Sequence, residues 1–216
     1  MTIDELVAAT KEFAASTTDL VNSCLSGDDV IPETAVSTDA KRASFKLVKD
    51  LYLEKQDLKL ARLQVSFRMQ ENSTGNHLAV DASSFQILAY RHKKPVPLVR
   101  FEYERDARSK PASHIHLHSE SVPIGVILAS SDRREIAIDQ HDLHYPAGDA
   151  RYRVCLEDVI EFAIVEFGFR AEEGWEDIVQ RGRSDFYERQ TDAVILHHLD
   201  RAAELLRAKG YVVSKP

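Results

Sequence analysis

The chain is predicted to be an α+β domain: an antiparallel β-meander with helices at the N-terminus and a C-terminal helical segment packed on the sheet. Three observations predict it. Apolar residues recur at helical spacing at both ends of the chain. They switch to a two-residue alternation through the middle, and short turn-rich stretches separate the alternating runs. The 216 residues, 44% hydrophobic and 29% charged, suit one domain over 1–216: N-terminal helices over 1–60, the sheet over 61–150 and C-terminal helices over 151–216.

The first helix opens on Thr2, with Glu5 three residues later in the pattern of a capping box. Leu6, Val7, Phe13, Leu20 and Val21 give its apolar stripe, and it should stop near Ser26-Gly27. Residues 27–38 read as a loop. A second helix is expected from Thr38 or Asp39 to about Gln56, with Phe45, Val48, Leu51 and Tyr52 on its apolar face.

The period then becomes two. Leu63, Val65, Phe67 and Met69 alternate with polar neighbours, which is the mark of a half-buried strand, and residues 71–77 form its turn. Further strands are expected over 84–91, 98–105 and 113–118. In the run 98–105, Val99, Phe101 and Tyr103 take one face while Arg100, Glu102 and Glu104 take the other. Residues 124–129 and 135–138 are shorter apolar runs that read as strands. Helical spacing returns over 155–167, with Gly168 placed as a C-cap, then over 174–187 and 191–209, with Gly210 as the stop.

Composition excludes several classes. Two cysteines, Cys24 and Cys155, exclude a disulfide framework and a multi-cysteine metal site. No run of about 18 apolar residues exists to span a membrane. Asp4 and Glu5 stand where a signal peptide needs a basic start, so a cytoplasmic location is expected. Gly125 and Gly148 are isolated, so no phosphate-cradling glycine loop is present. The net charge is −7, yet residues 61–120 carry a net +3 and five of the nine histidines. A basic, histidine-rich segment inside an acidic chain can face a phosphate or another anion, or form a mixed solvated surface.

The most informative motif is His114-Ile115-His116-Leu117-His118. In a strand the three imidazoles point one way, with Ile115 and Leu117 pointing the other. The apolar side is expected to seek the core and the imidazole row to be displayed to solvent. Residues two apart lie roughly 6.6 Å apart along a strand, so neighbouring histidines can share one ion or one substrate group; His114 and His118, roughly 13 Å apart, cannot.

Phosphoester cleavage needs a base, an acid and a cation for the phosphate. Histidine suits both proton roles and arginine suits the phosphate. The catalytic candidates are therefore His114, His116 and His118, with His116 as base and His114 or His118 as acid, and no cofactor is called for. Arg100, Arg105, Arg108 and Arg153 are the substrate-binding candidates, and His144 and Tyr145 would complete the site if the Pro146 turn folds back over the strand. The alternative is a divalent metal on His114, His116 and Glu120, with His141-x-x-His144 offering outside ligands. A third reading is a non-catalytic interaction module whose histidines form a solvated face.

Three resemblances accompany these residues. The alternating histidine run resembles the histidine-triad motif of nucleotide hydrolases, which implies attack on phosphorus by the middle histidine; Ser119 and Glu120 stand where that family has apolar residues. His114-x-His116 with Glu120, followed by Pro146-Ala147-Gly148, is similar to the two cupin motifs, with Arg151 where the second motif has histidine. Over about 85–166, the order of two strands, a polar turn, the histidine run and a helix resembles the TumE-type toxins of bacterial toxin–antitoxin pairs. That resemblance implies an RNA-directed ribonuclease with an antitoxin partner, and it adds Asp106 beside Arg100 or Arg105 as a site residue. The C-terminal helices, with their apolar stripe, are expected to cover the sheet, a second copy of the chain or another protein.

Overall fold

In the computed structural model, seven antiparallel strands pair in chain order as one sheet, β1 to β7. The structure describes residues 2–37, 42–53, 59–72, 77–91, 94–119, 122, 134–148 and 152–214. Helix α1 (Ile3–Cys24) precedes the strands β1 (Glu33–Ser37), β2 (Arg42–Tyr52), β3 (Lys59–Glu71), β4 (Leu78–Arg91), β5 (Lys94–Glu104) and β6 (Ser113–Leu117). A short helix α2 (Arg134–Ile138), a 3-10 turn (Gln140–Asp142) and the two-residue strand β7 (Tyr145–Pro146) follow. Helices α3 (Leu156–Phe167), α4 (Trp175–His197) and α5 (Leu199–Ala208) end the chain. The α+β meander read from the sequence is the observed architecture. No described helix is long and apolar enough to cross a membrane.

Helix α1 starts as its capping box dictates: the Glu5 amide donates to Thr2 Oγ1 at 3.2 Å and the Thr2 amide donates to Glu5 Oε2 at 2.7 Å. Its apolar stripe is incomplete in sequence because Thr10, Thr17 and Thr18 occupy buried positions. Their hydroxyls are satisfied by donating to the carbonyls of Leu6, Phe13 and Ala14. Helix α3 ends as its sequence requires, on Gly168 in the left-handed region at φ 68°.

The second helix expected over 38–56 is instead strand β2, and the loop expected over 27–38 contains β1. Ala43, Phe45, Leu47, Lys49 and Leu51 are all buried, a strict two-residue period. Lys49 is what disguises it. A charged residue in the middle of the buried row leaves the remaining apolar residues at a spacing that looks helical. Its side chain is 1% exposed, and its Nζ donates to Asn22 Oδ1 at 3.3 Å and to the carbonyls of Gly27 and Asp28 at 3.2 and 2.9 Å.

Two further expectations change. Residues 135–138 form helix α2 rather than a strand. The terminal helices break at His198, where ψ turns to 45°, not between 187 and 191. The run 124–129 lies outside the described residues.

The sheet has two unlike faces. On the inner face Phe45, Phe67 and Phe85 lie on adjacent strands with ring centroids 5.1 and 5.4 Å apart, and Phe13 of α1 packs 5.0 Å from Phe67. Phe162 of α3 packs 5.7 Å from Phe101 of β5 on the same face. The outer face is polar. One cross-strand row reads Lys46, Ser66, Ser84, Glu102 and His114; the next reads Val48, Gln64, Gln86, Arg100 and His116. The candidate site stands on this outer face, at the β5–β6 end.

Candidate metal centre

Strand β6 is short and pairs with β5 on one side and β7 on the other. Its register sets His114 opposite Glu102 and His116 opposite Arg100. Opposed residues on an antiparallel pair share a face, so both histidines point to the side that carries Arg100 and Glu102.

The displayed histidine row is not what forms. His114 is 0% exposed and His116 3%, whereas Leu117 on the opposite face is 40% exposed. Ile115 does reach the core. The imidazoles are covered because the segment after α2 folds back over β6. Gln140 is buried there, and the His144 ring sits 4.8 Å from the ring of His114 and 4.7 Å from that of His116. The His114 and His116 rings are themselves 5.0 Å apart.

The three imidazoles therefore converge. One ring nitrogen from each of His114, His116 and His144 lies within 4.8 Å of the others. Glu102 completes the set: its Oε2 is 3.3 Å from His114 Nε2 and 3.3 Å from His116 Nε2. Arg100 lies beside it, with Nε 3.1 Å from Glu102 Oε1.

His114 is held in one tautomer. A carbonyl oxygen only accepts, so the 2.8 Å contact with the Pro111 carbonyl puts the proton on Nδ1. Nε2 is left with a lone pair, buried and without a hydrogen-bond partner, aimed at a carboxylate oxygen. Burial holds the His114 pKa below the usual histidine range, and nearby Lys110 and His144 push it the same way. Partial desolvation against the other two rings and the neighbouring His116 also lower that of His144, the solvent-facing member of the group. Neutral imidazoles are the metal-ligating form.

The other candidates are dispersed. His118 lies past the end of β6, where its amide donates to the Leu98 carbonyl, and it is not in the cluster. Tyr145 stands opposite Ile115, on the face the histidines do not use. Arg105 is exposed and donates to the Val80 carbonyl, and Asp106 and Arg108 are exposed in the same turn. Arg153 lies 4.0 Å over the ring of Tyr103, an inner-face residue, so it is on the other side of the sheet from the histidines. Arg100 alone of the four arginines touches the cluster, through Glu102. Glu120 and Arg151 lie outside the described residues.

Sequence reasoning did not choose Glu102. The signal was present in the alternation of Arg100, Glu102 and Glu104, but only the β5–β6 register brings it opposite His114. No family model, curated protein or solved structure matches the chain.

Proposed function

We propose that His114, His116, His144 and Glu102 hold a divalent transition-metal ion, and that the bound ion acts on a phosphoester presented by the basic outer face of the sheet. The observation that carries the metal reading is His114: its Nδ1–H is committed to a backbone carbonyl while its buried Nε2 lone pair has no donor. Metal-ligating histidines have this arrangement, with the outer nitrogen fixed by a second group and the inner one bare. Distances support it. Bonds of about 2.0–2.1 Å in a tetrahedral site set ligand atoms about 3.3 Å apart. Both nitrogen-to-Glu102 separations are 3.3 Å, and the three ring nitrogens, within 4.8 Å of one another, would draw closer around an ion. Three imidazoles and a carboxylate suit zinc, iron, copper or nickel better than calcium or magnesium.

A bound ion of this kind acidifies a coordinated water and polarises a phosphoryl oxygen. The residues of the chain supply the rest. Glu102 balances charge, and the Arg100 guanidinium lies 3.1 Å from its other oxygen. His144, exposed, marks the open side.

The phosphoester half of the reading rests on the neighbouring surface. Arg42, Lys46, Arg62 and Arg68 share the outer face. Of the acids there, Asp50 is engaged by Lys59 and Tyr90 and Glu104 by Lys110, while Glu33 stands opposite Lys46 on the edge strand. A shallow groove of about 270 Å³ lined by Ser66, Arg68, Ser84, Glu102 and Lys110 ends against the cluster, with Glu102 forming part of both. RNA is the polyanion we favour. The metal-free histidine mechanism loses support because a fully buried His114 cannot touch a substrate. The antitoxin partner rests on the TumE resemblance alone.

Metal content of freshly purified full-length protein, beside Glu102→Gln and His114→Ala, tests the first half. Near-stoichiometric metal in the parent and loss in both variants is expected; a metal-free parent that also fails to take up added zinc, manganese or iron overturns it. Total-RNA integrity with and without EDTA tests the second. Cleavage that EDTA abolishes is expected, and cleavage that resists EDTA returns the histidines to direct acid–base roles.

A further inference from the structure

A cavity of about 640 Å³ lies on the inner side of the sheet, away from the histidines, between α1 and α4. Phe67, Ser83 and Phe85 of β3 and β4 form its floor. Phe13 of α1 and Phe186 of α4 line opposite walls, and residues 153–157 complete the lining. The volume falls in the range of about 300–1,000 Å³ that small-molecule sites occupy. The polar groups inside it specify the ligand.

Two of them have no partner. Ser83 is 7% exposed, and its hydroxyl makes no hydrogen bond among the described residues. Glu157, half-buried in the first turn of α3, makes neither an ion pair nor a hydrogen bond among the described residues. It is not needed as a helix cap, because Asp158 Oδ2 already accepts from the Cys155 amide at 3.1 Å. Its carboxylate presses against α4 at Gly182, where a Cβ would stand 2.6 Å from Glu157 Oε1. A half-buried carboxylate without a partner has lost hydration and gained nothing for it, which a cationic group in the cavity would correct.

The cation inside the cavity is Arg153. Its guanidinium lies 4.0 Å over the Tyr103 ring and 5.4 Å from the Phe186 ring. Rings against its faces hold the plane of the group, and its N–H donors point out along the edge, the side that grips a carboxylate. The exposed rim is balanced, with Asp19 and Asp185 against Arg181 and Arg189. The interior therefore offers one carboxylate, one guanidinium and one hydroxyl above an aromatic floor. A ligand of a single charge would answer only one of the two ions. We infer that this cavity binds a small zwitterion with an apolar body, an apolar amino acid or short peptide, with its ammonium on Glu157, its carboxylate on Arg153 and its apolar side chain on Phe67 and Phe85.

Calorimetric titration of the full-length protein tests this, with phenylalanine and the dipeptide phenylalanyl-phenylalanine as probes. At least one should bind, and which one binds tighter separates an amino acid from a peptide. The N-acetyl form, without the ammonium, and the amide form, without the carboxylate, should each bind at least about tenfold more weakly. Glu157→Gln removes a carboxylate that bonds nothing, so the fold and the metal content should hold, while affinity for the zwitterion falls to that of the N-acetyl form. The amide probe reads the Arg153 contact without disturbing the stacked guanidinium. Absence of binding by both probes at millimolar concentration overturns the inference. So does equal binding of the blocked forms, or a folded Glu157→Gln protein that binds as the parent does.

Discussion

Glu102 and His114 face each other across the β5–β6 pair, with the carboxylate Oε2 3.3 Å from the imidazole Nε2. His114 keeps its Nδ1 proton on the Pro111 carbonyl, so its Nε2 has none to donate to the carboxylate. A buried imidazole lone pair that close to a carboxylate oxygen is eased by a cation between or beside them. The sheet register thus creates a local demand for positive charge that Arg100, on the outer oxygen of Glu102, meets on one side only.

Replacing Glu102 by Gln removes the charge and keeps the shape. Metal affinity should fall by at least about tenfold, since even second-layer partners of ligands are worth that much. His118→Ala should leave affinity unchanged, because His118 lies outside the cluster. Cobalt titration followed by visible absorption compares the two directly, and a His118→Ala loss equal to that of His114→Ala would refute the assigned ligand set.

Lys46→Glu/Arg68→Glu should leave metal content intact and weaken RNA binding. Each lost phosphate contact should reduce the slope of log affinity against log salt by about one. Filter binding across a salt series measures it. An unchanged slope would mean that the outer face does not hold the polyanion.

Lys49 gives a pH dependence with a definite sign. Burial holds its pKa below the usual lysine value of 10.5. Between the folded and unfolded values the unfolded chain binds more protons, so stability rises with pH across that window. The difference in melting temperature between the parent and Lys49→Met should therefore shift in favour of the parent as pH rises towards 10. Thermal melts at paired pH values show it, and a shift the other way would mean that the contacts to Asn22, Gly27 and Asp28 favour the charged amine enough to outweigh its burial.

Phe67→Ala should cost about 3–5 kcal/mol of stability, the usual loss for a buried aromatic. Phe67 meets Phe13, Phe45 and Phe85 with centroids 5.0, 5.1 and 5.4 Å away. Urea unfolding reads the loss as a lower midpoint. Because the ring is on the inner face, metal stoichiometry of the folded variant should not change.

Much of this fold is legible where the alternation is clean, as at Leu63, Val65, Phe67 and Met69. Strand β2 was hidden by one buried charge, since pattern reading treats a lysine as exposed and Lys49 is not. Histidine caused the opposite error at the site. Taking Ile115 and Leu117 as the inward side of β6 ignored that a second segment can cover the polar side, and burial of His114 and His116 depends on residues 140–146 returning over them. His144 was legible as one half of His141-x-x-His144. Glu102 was not, because a strand's face can be read from its own residues while its partner across the sheet depends on register.

The meander order has a consequence for how the molecule opens. Each strand pairs with its sequence neighbours, and Glu102, His114, His116 and His144 all come from the last three strands and the segment joining them. An ion there would tie β5, β6 and the segment before β7 to one another without bridging to β1 to β4. An ion held there would act as a local clasp. It would slow amide exchange in β5 to β7 more than in β1 to β3.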